Sequence, residues 1–463
     1  MTAPDQIAFR LNDSEVVVSQ VIPATTTLLH WLRTHAGLTG TKEGCNEGDC
    51  GACTIVLERP GQRTPLNACI VTIGQLHGAA IRTVEGLGRP GTPHPIQTAL
   101  AEADATQCGF CTPGFVMAAY AFATQRGDLH DALAGNLCRC TGYRPIVDAL
   151  ATLPTDDHPD PPPPPPPPPG PARFETETCT FHRPTTLDHL LHLRSAHPDA
   201  TILAGGTDLG VALAEGQGPR HTICLLGIPE LQTITTHPDR LTIGAAAPYA
   251  DLIAAIEAAP HLRLAPLIPL LTRLGSRQIR GLGTLGGNLA TASPIGDALP
   301  PLLALGATIR LRSTQRTRDL QVADFLLGYR RTALAAHEVI QSITLPSVPP
   351  GALFACEKLS KRRDQDIAAL SAAILLDIDH GRIRAAAIAL GGMGPTAARA
   401  LAAEAALIGA EWSQPALDRA AEALSTDFAP LSDSRGSAAY RQQAAAGLLR
   451  RLWWRDHPTL DAL

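Results

Sequence analysis

The sequence predicts a multidomain α+β protein, and three observations carry that prediction. The chain has 463 residues, room for about three domains at ~150 residues each. Helical and strand periodicities alternate along it, with no single period running throughout. Two residue types are also unevenly placed: eight of the 11 cysteines fall between Cys45 and Cys140, and nine of the 40 prolines form the run Pro161–Pro169. A hydrophobic content of 45% is globular and excludes disorder throughout, and a net charge of −5 with no basic block excludes a dedicated nucleic-acid binder.

The opening MTAPDQIAFRLN has no basic segment followed by an apolar one, so no signal peptide is expected. No stretch reaches the ~18 uninterrupted apolar residues that a membrane span needs. A cytoplasmic location is therefore expected, where disulfides rarely persist and clustered cysteines bind metal.

Ile7–Leu11 and Val16–Val18 read as a hairpin around Asn12-Asp13-Ser14. Leu28, Leu29 and Leu32 have helical spacing behind the start signal Thr25–Thr27, and Thr54–Leu57 reads as a strand. From Pro95 to Ala151 the pattern is mostly helical. The Pro161–Pro169 run can be neither helix nor central strand, because proline lacks the amide proton and fixes φ. As polyproline II it spans roughly 28 Å. A spacer between domains is favoured over an SH3-type ligand, since flanking specificity residues are absent.

Beyond the spacer, Leu187–Ser195 and Leu252–Ala258 look helical, and Thr242–Gly244, Thr308–Arg312 and Ile340–Leu345 look like strands. Ile374–Ile378 and Ile383–Leu390 resemble a two-strand meander turning at Asp379-His380-Gly381. The Ala-rich remainder is largely helical, and Gly391-Gly392-Met393-Gly394 reads as a turn. No internal repeat is visible.

The first cysteine group is Cys45-x4-Cys50-x2-Cys53, then Cys69 after 15 residues. This unequal spacing matches the plant-type pattern for a 2Fe–2S cluster. Gly44, Gly48 and Gly51 provide the φ freedom and close approach needed for backbone amides to turn toward the sulfurs. Structural zinc usually takes paired knuckles on both halves, whereas here the second half is the lone Cys69.

The second group is Cys108-x2-Cys111, then Cys138-x-Cys140 after 26 residues. Taken alone it admits a zinc site or a reactive C-x-x-C pair as well. The single residue between Cys138 and Cys140 is tight for a zinc knuckle, and the neighbouring ferredoxin-like module favours iron–sulfur. Cys179, Cys224 and Cys356 are isolated and read as small buried hydrophobes. The 16 histidines show no ligand spacing and read as ordinary surface or core residues.

GCNEGDCGACT (Gly44–Thr54), QCGFCTPGF (Gln107–Phe115) and GNLCRCTGYRPI (Gly135–Ile146) resemble the iron–sulfur region of the molybdenum hydroxylases. LAGGTDL (Leu203–Leu209), LGGNLATASPIGD (Leu285–Asp297) and KLSKRRDQDIAA (Lys358–Ala369) resemble their flavin region. The iron–sulfur-then-flavin order in one chain is similar to that of the small subunits of bacterial xanthine dehydrogenases within that family.

The resemblance implies a ferredoxin-like β-grasp domain over 1–86 holding one 2Fe–2S cluster on Cys45, Cys50, Cys53 and Cys69. It implies a small helical 2Fe–2S bundle over 87–154 holding the other on Cys108, Cys111, Cys138 and Cys140. A polyproline linker over 155–172, an α+β FAD-binding domain over 173–350 and a carboxy-terminal α+β domain over 351–463 complete the chain. It further implies loops that grip FAD: Ile202, Leu203, Ala204, Gly205, Gly206, Thr207, Asp208 and Leu209, then Thr284, Leu285, Gly286, Gly287 and Asn288. Asp297 is a further flavin contact, and Leu274, Ile340 and Lys358 line the flavin; Leu274 stands where some relatives have Phe, so ring stacking is not expected there. In relatives Lys361–Asp366 lies near the flavin and influences NAD access; read alone, it is a solvated charged loop.

The activity implied is that of an electron-transfer and FAD subunit. A large partner subunit with the molybdenum cofactor hydroxylates xanthine or hypoxanthine, and electrons pass through the Cys108 group, then the Cys45 group, then FAD, to NAD. The implied assembly has two small and two large subunits, and no catalytic acid or base is expected in this chain. An equivalent subunit acting on an aldehyde or N-heterocycle is the alternative within the family. A zinc-stabilised scaffold docking through its polyproline is the alternative outside it. Gly281-Leu-Gly283-Thr-Leu-Gly286 formally fits G-x-G-x-x-G, but a helical stretch precedes it and Asn288 to Pro294 is a poor helix start, so a Rossmann site is not expected.

Overall fold

Asn12 and Asp13 turn the first two strands, Ala8–Leu11 and Ser14–Val17, into the expected antiparallel hairpin. Asn12 adopts φ 56°, a left-handed conformation that Asn tolerates well, so the turn needs two residues and Ser14 joins the second strand. This hairpin belongs to a computed structural model that describes residues 6–19, 21–89, 91–123, 127–153 and 170–456. The proline run Pro161–Pro169 lies outside the described residues. Contacts divide the chain into two units, Met1–Glu230 with Gly275–Gly283, and Leu231–Leu274 with Thr284–Leu463.

In the first unit the hairpin extends into a five-stranded sheet in the order Ser14–Val17, Ala8–Leu11, Ala80–Arg82, Thr54–Arg59, Gln62–Asn67. Only Ala8–Leu11 and Ala80–Arg82 run parallel. Helix Leu28–Thr34, capped by the Thr27 hydroxyl accepting the His30 N–H, buries Leu28, Leu29, Trp31 and Leu32 in a core with Phe9, Ile55 and Leu57. This is the expected β-grasp.

The mostly helical pattern of Pro95–Ala151 resolves, among the described residues, into four helices at Pro95–Glu102, Thr112–Phe122, Leu129–Leu133 and Arg144–Ala151. Thr112–Phe122 is apolar on nearly every face because it is the centre of this bundle. Its Tyr120 hydroxyl donates to Glu58 Oε1 at 2.8 Å, and the Arg63 guanidinium stacks 3.8 Å above the same ring, which docks bundle to sheet.

Chain from beyond the proline run completes this unit. Strands Ala172–Glu175, Thr180–Arg183, His221–Cys224 and Thr201–Leu203 form a second sheet in that order, with helix Leu187–Ala196 crossing over. Phe174, Phe181, Leu203 and Cys224 share the β-grasp core. Cys179 and Cys224 are buried and Cys356, in the second unit, is half-buried, as expected of packing residues.

The second unit has a five-stranded antiparallel sheet in the order Ile234–Thr236, Arg240–Gly244, Val339–Pro346, Thr308–Arg312, Thr317–Gln321. Helices Tyr249–Glu257, Leu285–Thr291 and Leu299–Ala304 pack on it. The expected two-strand meander is the centre of a larger sheet: Leu353–Leu359, Leu370–Asp379, Arg382–Gly391 and Ala398–Arg399 pair in that order. Its hairpin turns on His380 and Gly381, at φ 47° and 74°, as a two-residue turn between right-twisted strands requires. Helices Leu401–Leu407, Gln414–Asp427 and Ala438–Asp456 follow, with apolar faces in the same core.

The glycine-rich segment departs from expectation in one respect. A helix does follow it, because the Thr284 hydroxyl caps Leu285–Thr291 by accepting the Gly287 N–H at 3.0 Å. The element before it is helix Arg277–Arg280 and not a strand, so the segment is still no Rossmann turn. No helix among the described residues is long and apolar enough to cross a membrane.

Candidate iron–sulfur and flavin sites

The loop from Gly44 to Cys53 folds its amides inward. Cys45 Sγ accepts N–H groups from Asp49 and Cys50 at 3.2 Å each and from Glu47 at 3.5 Å, while Cys50 Sγ accepts the Cys45 N–H at 3.3 Å. Gly48 and Gly51 adopt φ 85° and 67°, and a Cβ at Gly44 would lie 2.7 Å from Cys50 Sγ. The glycines therefore serve both purposes that their spacing suggests. Cys53 and Cys69 lie with sulfurs 3.3 Å apart, both buried. In the second group Cys108 and Cys140 are 3.5 Å apart, and the Cys111 and Cys138 thiols hydrogen-bond each other.

In the first group the Cys45 thiol also bonds those of Cys50 and Cys69, so the sulfurs run in a chain of contacts, and among the described residues no three cysteine sulfurs converge within 4.8 Å. A binuclear centre needs two thiolates per iron, whereas one zinc ion would gather all four around a point. The donor set fits 2Fe–2S. Donation from the Cys50 and Cys69 thiols holds Cys45 far below the usual thiol range. Burial pushes Cys111 up to about 12. Iron binding must therefore release protons from these loops.

The two cysteine loops are bonded to one another. The Leu137 N–H donates to the Cys50 carbonyl at 2.9 Å, and Asn136 Nδ2 donates to the Gly51 carbonyl at 2.9 Å. Gln278 Nε2 in turn donates to Asn136 Oδ1 at 2.9 Å and to Thr54 Oγ1 at 3.2 Å. A Cβ at Gly51 would overlap the Gly135 carbonyl, so the contact depends on glycine.

Beyond Cys69 the chain meets Ile202–Leu209 through Gln75. This segment is not wholly loop: Ile202 and Leu203 end strand Thr201–Leu203, and Leu209 starts helix Leu209–Ala214. Gln75 Nε2 donates to the Ala204 and Gly205 carbonyls at 3.1 and 3.2 Å. Gly206 has φ 76°, and a Cβ at Gly205 would overlap the Leu282 carbonyl. The N–H groups of Gly206, Thr207 and Asp208 find no acceptor among the described residues. Carbonyls tied back and amides left over make a concavity suited to a pyrophosphate. A Cβ at Gly210, the residue after this segment, would overlap the carbonyl of Ile70, the residue after Cys69, so the chain just past the segment lies against the end of the first cysteine group.

The remaining flavin candidates belong to the second unit. Thr284–Asn288 is the cap and first turn of a helix, where the sequence suggests a loop. A Cβ at Gly286 would overlap the Ala245 carbonyl. Lys358, on strand Leu353–Leu359, places Nζ 2.7 Å from Asp297 Oδ2 and 2.9 Å from the Arg273 carbonyl, with both side chains buried. Burial pushes the Asp297 carboxyl up, against the opposing pull of Lys358. Asp297 Oδ1, Asn288 Oδ1 and the neighbouring Tyr249 hydroxyl are buried without hydrogen-bond partners. Such atoms normally have partners, so this region fits a polar ligand. Leu274 is half-buried and Ile340 is 6% exposed, both packed with the apolar core. Arg273 donates to the Arg363 carbonyl and to Ser360 Oγ, which anchors the start of the charged stretch Lys361–Asp366.

Sequence reasoning missed Gln75, Asn136, Gln278 and Tyr249. Asn136 lies within a quoted motif; the others carry no local signal.

Four family descriptions match the chain in order: "2Fe-2S iron-sulfur cluster binding domain" over 10–73, "[2Fe-2S] binding domain" over 83–151, "FAD binding domain in molybdopterin dehydrogenase" over 173–348 and "CO dehydrogenase flavoprotein C-terminal domain" over 355–455. The xanthine dehydrogenase of Emericella nidulans is 34% identical over 97% of this chain, which spans 38% of that protein's length. Among solved structures, a carbon monoxide dehydrogenase from Hydrogenophaga pseudoflava is similar at TM-score 0.56 and 31% identity, over 61% of this chain and 96% of that one. Quinoline 2-oxidoreductase from Pseudomonas putida is similar at TM-score 0.54 and 28% identity, over 59% and 95%.

Proposed function

This chain belongs to the molybdenum hydroxylase family of oxidoreductases, and from that premise we propose that it is the electron-transfer and FAD subunit of a xanthine dehydrogenase. The observation that supports this reading most is the placing of the first cysteine group. Cys50 and Gly51 are bonded to the loop of the second group on one side, and Ile70 lies against Gly210, the residue that follows Ile202–Leu209, on the other.

Cys45, Cys50, Cys53 and Cys69 would hold one cluster and Cys108, Cys111, Cys138 and Cys140 the other. Flavin contacts are assigned to Ile202–Leu209, Leu274, Thr284–Asn288, Asp297, Ile340 and Lys358. When bound, such clusters carry electrons singly and a flavin collects them in pairs for release as hydride. The chain's own part is positioning and tuning. Amides donated to Cys45 and Cys50 favour added negative charge on the sulfurs. Gln75 turns the Ala204 and Gly205 carbonyls away, so that amides face the phosphates. Cys108 and Cys140 are exposed, which suits docking of a large subunit bearing the molybdenum cofactor.

The acceptor proposed is NAD, and the assembly two small and two large subunits in the cytoplasm. Co-purification tests the reading: the partner chain is identified and the complex assayed with xanthine and NAD. NADH formation dependent on xanthine is expected. A complex that oxidises an aldehyde or an N-heterocycle and leaves xanthine untouched would replace the substrate assignment with the family alternative.

A further inference from the structure

Three histidines that the electron-transfer reading leaves unused meet at one end of the four-stranded sheet of the first unit. His182 lies on strand Thr180–Arg183, and His221 opens the parallel neighbour His221–Cys224. Thr180 pairs with His221, and His182 is two residues further on, so both imidazoles project from the same face. His197 is the residue that ends helix Leu187–Ala196, its N–H bonded to the Leu193 carbonyl at 2.8 Å. Ring centroids are 5.0 Å apart for His182 and His221, 4.3 Å for His197 and His221, and 5.4 Å for His182 and His197. One ring nitrogen from each lies within 4.8 Å of the other two.

Three features distinguish this group from ordinary core packing. His182 is only 7% exposed, yet its Nε2 has no hydrogen-bond partner, and neither does Nε2 of His221. Buried nitrogens left this way carry a penalty, so these two rings converge on His197 at a cost unless something occupies the space between them. Burial and the neighbouring imidazoles push His182 down to about 4, and His221 is lowered for the same reasons. Arg173 and Glu175, the charged neighbours on this face, pair with each other at 2.7 Å and bring no net charge. Two ligands on paired strands and one at a helix end form a rigid frame, and His197 and His221 are half-buried, which leaves a way in.

We propose that His182, His197 and His221 form a binding site for a divalent first-row transition ion, taken here as zinc, that clips the sheet to the end of helix Leu187–Ala196. Three imidazoles suit zinc, which would keep a fourth position for water.

Zinc itself is the probe, applied to the full chain with its iron and flavin in place after brief chelation. Equilibrium dialysis against micromolar zinc should load one ion per chain, with X-ray absorption placing nitrogen ligands at about 2.0–2.1 Å. His197→Ala and His221→Ala should each weaken retention by at least about 100-fold, more than loss of a supporting contact would. Iron and FAD contents should stay unchanged in both, which separates the site from the cysteine loops and from misfolding. His197→Ala is the milder variant, since it removes a half-buried ring at a helix end. No retained zinc in the wild-type chain, wild-type retention in both variants, or sulfur ligands in the absorption spectrum would each overturn the proposal.

Discussion

The first cysteine group is enclosed by its own unit, with Cys53 and Cys69 at 2% and 0% exposed, whereas in the second group Cys108 and Cys140 are exposed. Both groups use four thiols, and both place glycines beside their cysteines. They differ in what surrounds them. The first is bounded by the Asn136 loop on one side and by Gly210, just after Ile202–Leu209, on the other. The second has protein on its inner side and an open outer face. Hydrogen bonds and solvent access set the potential and the reactivity of iron–sulfur centres, so the two groups are built for different places in one relay. The enclosed group suits transfer within the chain, and the open one suits exchange with a partner.

Removing one ligand from each group is the largest perturbation of that contrast. Cys138→Ala should abolish one of two distinguishable iron–sulfur EPR signals and leave the other, and Cys53→Ala should do the reverse. Because Cys53 belongs to the β-grasp core, its variant should also lower the unfolding midpoint by the cost of a small cavity, about 1 kcal/mol. Retention of both signals in Cys138→Ala would remove the second group from the account.

A smaller effect sharpens the contrast from the flavin side. Asp297→Ala leaves the buried Lys358 ammonium without its partner, at a cost of about 3 kcal/mol, and should weaken FAD retention while sparing both EPR signals. Adding Lys358→Met removes the orphaned charge and should recover stability, so flavin loss that persists in the double variant reports on the site itself. Unchanged FAD content in Asp297→Ala would take that residue out of the flavin set.

Much of this architecture was legible in the residues because its determinants are local. The Asn12-Asp13 turn, the Thr27 cap before Leu28, and the glycines of the Gly44–Cys53 loop each act within a few positions. The helix at Leu285 escaped because its start depends on a single hydroxyl, Thr284, ahead of two glycines that argue against helix. Gln75, Asn136 and Gln278 escaped for another reason: their partners lie 129, 85 and 142 residues away, and only the assembled fold brings them together. The same holds for His182, His197 and His221, whose spacing matches no ligand motif. Their convergence comes from strand register and a helix end, which no local pattern signals.

The central claim, that this chain carries two iron–sulfur centres and a flavin, is tested most directly by measuring iron, acid-labile sulfide and flavin per purified chain. The account predicts about four irons, about four sulfides and about one FAD, with two iron–sulfur EPR signals on reduction. Zinc in the cysteine sites, with no iron and no flavin absorbance, would contradict it.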